Sequence, residues 1–391
     1  MDKTSRSRLD FASRGSLFTY ALTAVILPIS LITIASELDF SYAQAGALSL
    51  VGSITQFVIL LLSIPLAAAV GKIRPLRWGL LFLGLGLGCF TFSTGFTVAF
   101  LTIMVVAVGQ ASIESLITPL VEDVHPGDDG RHQALLHSFW PLGIIIGTLI
   151  LGEALSRGMP WRYGFWALAA LCIATSFLFP HHKKVSLPPS RCDFSHAGEI
   201  FRQPTFWIFS LALFFAGGIE GGLTYWTASF IQVSYGTLPR AGAMGTAAFA
   251  LGMALGRIGT SRLTGRWGIH AILTGTAVTA LILGICLKMT GALYSLYPLL
   301  VLLGISCAPH WPGIQTLAVR RIGADATMTM AFMSCFGLLG FSAASFSMGL
   351  IGDAKGLEMS FWVIPIEAIL LLFCLLVERV FSLSLRTSQE Y

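Results

Sequence analysis

The stretch "GQASIESLITP", residues 109–119, closes an apolar run from Thr97 to Val121. A helix needs about 20 largely apolar residues to cross the hydrocarbon of a bilayer, and this run is long enough. Glu114 is its one ionisable residue. A carboxylate at that depth is costly and normally faces a water-filled cavity or a partner rather than lipid. The run therefore reads as a membrane helix that carries chemistry.

The rest of the chain repeats the pattern. Of 391 residues, 55% are hydrophobic and only 11% are charged, and the mean hydropathy is +0.79. Soluble domains carry about 25% charge, so the chain is an integral membrane protein. Twelve apolar segments are expected, at 15–36, 42–70, 76–94, 97–121, 131–155, 160–180, 205–233, 239–265, 268–289, 291–318, 326–351 and 359–383. Alternating strand patterns are absent, which argues against an outer-membrane barrel. The stretch MDKTSRSRLDFASRG precedes the first segment, which is too long for a signal-peptide core and is read as a retained helix.

Basic residues set the orientation. With both termini in the cytoplasm, 19 of the 24 Lys and Arg residues fall inside, and Arg157, Arg162, Arg240, Lys288 and Lys355 fall outside. Facing anionic headgroups, that bias accounts for the formal net charge of +5 with no nucleic acid. Seven cysteines lie mostly within apolar segments without a CxxC pair and read as small core residues. The chain has no asparagine, hence no glycosylation sequon. A bacterial inner membrane is the expected location.

The longest polar interruption, residues 181–204, contains His181, His182, Lys183, Lys184 and Arg191 and reads as a cytoplasmic linker with a short surface helix near 195–202. It separates a six-helix half, 1–180, from a second, 205–391. "RWG" recurs at 77–79 and 266–268, and Gly109 and Gly304 occupy corresponding segments. The expected fold is all-α and integral to the membrane: two pseudo-symmetric six-helix halves with the site between them, an architecture that resembles the major facilitator superfamily. GKIRPLRW (71–78) and GRIGTSRLTGRWG (256–268) are expected to be cytoplasmic loops. Such loops usually hold a Gly- and Arg-rich gate motif in that superfamily, which makes Arg257 and Arg262 gate candidates; the first copy lacks the usual aspartate.

Four acids within spans are singled out: Glu114, Glu153, Glu220 and Glu367. Glu153 is near a helix end, and Glu367 suits packing or snorkelling. Burial disfavours the ionised form of a carboxyl, so an acid that is alternately enclosed and opened to water can carry a proton. Glu114 and Glu220 are the candidates, with a structural hydrogen bond as the alternative. Gln110 shares a face with Glu114, and Thr224 and Thr227 continue a stripe from Glu220. "HSFWPLG" aligns His137 and Trp140 on one face, and "CAPHWPGIQ" offers His310, Trp311 and Gln315 beside two prolines that loosen their helix. Aromatic faces with amide and imidazole groups suit a sugar; ordinary packing is the alternative. Trp226, Tyr225 and Tyr20 are weaker candidates of the same kind.

AxIExxxTPLV (111–121) with ALLHSFWPLG (134–143), GRIGTSRL (256–263) and SCAPHWPGIQTL (306–317) resemble the fucose permease and glucose porter branch of that superfamily. The resemblance implies proton coupling at Glu114 and substrate contact at His137. Where that branch has an acid in the first helix, before VILP (25–28), this chain has Ala24.

The expected function is proton-coupled symport of a sugar-like solute by alternating access. Export of amphipathic compounds by proton antiport is the alternative, and a non-transporting nutrient sensor is a third reading, set aside because only a short polar tail follows the last segment. No catalytic or metal site is expected and no cofactor beyond a coupling proton; the partners are the solute and the bilayer, not nucleic acid, with the chain acting as a monomer. In intact cells a single cysteine at Ser388, in a cysteine-free background, should resist an impermeant thiol reagent; strong labelling from outside would reverse the orientation.

Overall fold

The computed structural model describes residues 3–126, 131–180, 187, 197–323 and 326–387, and every regular element among them is a helix. Lipid offers no hydrogen bonds, so a spanning backbone must satisfy its own polar groups. The first half holds α1 (Lys3–Leu38), α2 (Tyr42–Val70), α3 (Ile73–Phe90), α4 (Phe96–Val124), α5 (Arg131–Ser156) and α6 (Trp161–Ser176). The second holds α7 (Ala197–Phe201), α8 (Pro204–Tyr235), α9 (Pro239–Trp267), α10 (Ile269–Met289), α11 (Leu293–Cys307), α12 (His310–Ile322), α13 (Ala326–Lys355), α14 (Leu357–Ser360) and α15 (Val363–Thr387). Two compact units result: Met1–Cys192 with Thr237–Met244, and Asp193–Gly236 with Gly245–Tyr391.

Within each unit the same pairings recur. In the first, α1 packs on α5 and α6, and α3 packs on α4 and α6. In the second, α8 packs on α13 and α15, and α10 packs on α11 and α15. The central crossing of each unit is made by glycine. Gly143 and Gly147 of α5 lie against Phe18, Ala21, Leu22 and Val25 of α1. Gly217 and Gly221 of α8 face the carbonyls of Gly337 and Phe341 on α13, and Gly340 faces that of Phe214. With no hydrophobic force between helices in lipid, close backbone approach at small residues supplies the packing.

Eleven spans are long and apolar enough to cross a bilayer among the described residues. The remaining expected segment is α6, whose 16 residues extend about 24 Å. The expected tenth segment is one span built from two helices: α11 stops at Cys307 and α12 starts at His310. Pro309 has no N–H to offer the preceding turn, and its ring clashes with it.

Several boundaries differ from expectation. The first helix begins at Lys3, not near residue 15, because its polar groups find partners: Arg8 Nε donates to the Leu178 carbonyl (2.9 Å), and Asp10 pairs with His125 (2.7 Å). GRIGTSRLTGRW is not a loop but the end of α9; the chain turns only at Gly268, at φ 73°. The 71–78 stretch is likewise helical from Ile73, leaving Gly71, at φ 79°, and Lys72 as the turn. Lys72 Nζ meets Asp123 at the end of α4 (2.6 Å). Of the linker, Leu187 and residues 197–204, which hold α7, are described; His181, His182, Lys183, Lys184, Arg191 and Cys192 lie outside the described residues, as does Ser388.

At the other end of the first unit, Glu37 is a polar clamp. It accepts from Trp161 Nε1 (2.6 Å) and pairs with Arg162, whose Nε donates to the Thr91 carbonyl (2.9 Å). One carboxylate thus ties the end of α1 to the start of α6 and the turn after α3.

Replacing Gly221 by Val would drive two methyls into the α13 backbone at Phe341. Overpacking of this kind typically costs about 1–3 kcal/mol. Thermal unfolding of purified Gly221→Val should fall by several degrees, while the same change at Gly198, which faces open space, should leave it unmoved.

Candidate functional site

The apolar sides of α4 are buried through Ile113, Leu116 and Ile117. Its remaining face carries Gln110, Glu114 and Thr118, spaced by four residues and therefore in one line. Neighbouring helices complete this stripe. Gln56 of α2 donates from Nε2 to Gln110 Oε1 (3.1 Å). His137 Nε2 and Thr118 Oγ1 are 3.2 Å apart, and Gln133 Nε2 donates to the Thr118 carbonyl (2.8 Å). Buried Tyr20 of α1 lies within electrostatic reach of the exposed Glu114 carboxyl. The Tyr20 ring meets Trp140 of α5 edge-on, with centroids 4.8 Å apart. Four helices therefore bring an acid, an imidazole, three amides, hydroxyls and two aromatic faces together. Such a surface can hydrogen-bond a polar solute, stack on its C–H face and exchange a proton with it or with water.

The second unit has its own polar set. Glu220, half-buried on α8, has Arg257 of α9 and Cys307 of α11 as electrostatic neighbours. Arg257 lies ten residues before the end of α9, about 15 Å along the axis. The gate candidate is thus a membrane-depth cation beside an acid. Its Nε is buried without a hydrogen-bond partner among the described residues. Thr224 is half-buried one turn beyond Glu220. Trp311 lays its six-membered ring over Gly337, where no side chain would fit, and Gln315 Nε2 donates to Ser334 Oγ (2.8 Å) and the Met330 carbonyl (3.2 Å).

Other candidates are placed elsewhere. Trp226 is fully buried and donates from Nε1 to the Ser345 carbonyl (2.8 Å), so it packs α8 against α13. His310, 2% exposed, is next to Thr276 Oγ1 (3.2 Å). Arg262 is on the exposed face of α9. Glu153 pairs with Arg157 (2.7 Å) on one helix surface, and Glu367 packs over Gly218.

Sequence reasoning passed over Gln56, Thr118 and Gln133. The signal for Gln56 was there, an amide in the middle of the apolar run 42–70, but no spacing rule linked it to Gln110. Glu378 was also missed. It is 1% exposed and is held by Arg321 (3.2 Å), His270 (3.3 Å) and Ser382 (2.6 Å). Asp10, His125 and His132 form a group whose ligand-type atoms lie within 4.8 Å of one another. In it Asp10 bonds His125, and the two imidazoles stack with centroids 3.6 Å apart, their planes 10° from parallel. Near-parallel rings do not aim their lone pairs at one point, and the group joins the start of α1 to the turn between α4 and α5.

Residues 15–344 match the profile of the Major Facilitator Superfamily. The chain belongs to that family. As a facilitator it is a transporter and not an enzyme. Among curated relatives it is 26% identical over 169 residues to an uncharacterised MFS-type transporter of Yersinia pestis, covering 42% of this chain and 44% of that one. It is 29% identical over 155 residues to a probable sphingolipid transporter, spinster homolog 2, of Arabidopsis thaliana, covering 37% and 30%. The matches thus span less than half the length of either relative. Among solved structures, a bacterial homolog of the human lysosomal transporter Spinster, inward-facing and unoccupied, superposes with a TM-score of 0.81 at 16% identity over 97% of this chain and 98% of that one. The nucleoside transporter NupG gives 0.75 at 13% over 95% and 99%, and the E. coli fucose:proton symporter gives 0.67 at 16% over 96% and 99%. At these identities the likeness is one of fold.

The buried Trp226 and the exposed Glu114 predict unequal stability effects. Trp226→Ala should destabilise by about 3–5 kcal/mol, as expected for a large buried aromatic, and lower the melting temperature markedly. Glu114→Gln, on an exposed face, should melt close to the parent.

Proposed function

We propose that this facilitator moves a small polar, sugar-like solute together with protons by alternating access, with Glu114 as the proton carrier. The observation that supports this reading is the α4 stripe: an acid aligned with an amide and a hydroxyl, the latter two bonded to neighbouring helices, is a poor surface for lipid and a good one for a hydrated solute. Gln110, Glu114, His137 and Trp140 are the substrate-facing groups of the first unit, with Tyr20 and Gln56 beside them. Glu220, Thr224, Trp311 and Gln315 are those of the second, and Arg257 tunes Glu220. Proton coupling is energetically sufficient, since one charge crossing 100 mV releases about 2.3 kcal/mol. The chain works as a monomer in a bacterial inner membrane with both termini inside. A second reading, proton-driven export of amphipathic compounds, is favoured by the curated relative named as a probable sphingolipid transporter and by the fold shared with the Spinster homolog.

Purified protein is first screened by thermal shift against sugars, nucleosides and hydrophobic cations, and the best ligand is carried into proteoliposomes. Glu114→Gln, which imitates the protonated acid, should still bind and exchange labelled for unlabelled solute, because exchange needs no net proton movement. Accumulation driven by a pH gradient should fall to background. Glu220→Gln is the control: an exchange-only phenotype confined to it moves the proton site to α8. Concentrative uptake by Glu114→Gln would make Glu114 a structural partner. Shifts with hydrophobic cations alone would favour export.

A further inference from the structure

A cavity of about 380 Å³ opens where α9 ends, α10 begins and α15 ends. Arg321, Arg379, His270, Ser382 and Trp267 line it. We propose that this pocket binds the phosphate of an anionic phospholipid, whose acyl chains lie along α10 and α15.

Charge comes first. Glu378 is the acid behind the pocket, and it is already engaged by Arg321 and His270. Arg379 is exposed and has no ion pair among the described residues. With both arginines charged against one carboxylate, the pocket keeps a net positive charge. Backbone geometry adds to it. Gly268 caps α10 without a side-chain hydrogen bond, so the amides of Ile269, His270 and Ala271 border the same cavity unserved by a cap. First-turn amides favour phosphate, and here they supplement the arginines.

The surroundings identify a lipid rather than a soluble anion. Directly beyond the pocket, α15 exposes Val380 (69%), Leu376 and Phe373 (63%), and α10 exposes Ile282 and Val278. A basic pocket at the end of two helices that expose apolar side chains further along presents a headgroup site and an acyl site in the right order. Exposed Trp267 sits at the rim, where indole rings concentrate at the headgroup level. Basic pockets between membrane helices on the cytoplasmic side suit anionic headgroups. The excess of basic residues places this end of the second unit in the cytoplasm.

The test uses the full chain, delipidated in detergent, with dioleoylphosphatidylglycerol, dioleoylphosphatidylcholine and inorganic phosphate as separate probes. Phosphatidylglycerol should raise the melting temperature and remain bound in native mass spectra, and phosphatidylcholine should do neither. Arg379→Gln should weaken phosphatidylglycerol binding about fivefold, the worth of one cationic side chain at an anionic surface. Arg379→Lys should restore it. Lys355→Gln, an exposed cation at the end of α13, should leave binding unchanged and so control for charge alone. Because Arg379 is exposed and has no ion pair among the described residues, its variants are expected to fold, which unliganded melting temperatures check. Equal binding of the two lipids, an unaffected Arg379→Gln, or a full shift with inorganic phosphate alone would each overturn the proposal.

Discussion

Each half of this protein hangs on a place where two backbones touch. At the crossing of α8 and α13, Gly217 and Gly221 meet the carbonyls of Gly337 and Phe341, and α5 repeats the device against α1 with Gly143 and Gly147. Between lipid-embedded helices there is no hydrophobic gain to draw them together, so contact must come from dispersion, and dispersion needs closeness. These crossings also set where the polar side chains fall. Gly143 is the next turn after Trp140 and His137 on α5, and Gly217 and Gly221 bracket Glu220 on α8. The same turns that pack the helices therefore hold the acids and aromatics in register.

The polar groups divide by what they are tied to. Glu37, Lys72, Asp123, Asp10 and His125 are joined to other helices near helix ends, where they fix turns and termini. Glu378 does the same for the end of α15. Glu114 and Glu220 differ: each lies at membrane depth on a polar face, with Tyr20 or Arg257 as electrostatic neighbour. A chain that could have placed leucine at both positions keeps two carboxyls there, at real cost.

Much of this was legible in the sequence because hydrocarbon leaves few choices. Apolar runs of membrane length, the polar break near residue 190 and the bias of Lys and Arg dictated an all-helical, two-part membrane protein. The two prolines after Cys307 marked a loosened helix, and the structure interrupts it between Cys307 and His310. Single acids in apolar runs marked Glu114 and Glu220, since an ionisable group at that depth is costly and normally faces a cavity or a partner.

Other features depended on which helices meet, and composition does not encode that. Gln56 is 54 residues from Gln110, and only the α2–α4 packing makes them partners. Trp226 and Trp311 look alike as aromatic residues near an acid, yet one is sealed against α13 and the other covers a glycine on that helix. Arg257 read as a loop cation because glycines and arginines surround it; helix α9 runs on through them, since glycine in a helix is only mildly unfavourable, and carries Arg257 to Glu220. The sequence by itself determined that the chain spans a membrane in two halves and holds acids there, through the energetics of burying apolar and charged groups. Only the tertiary structure decided which side chains face one another, because that depends on helix crossings set by contacts far apart in the chain.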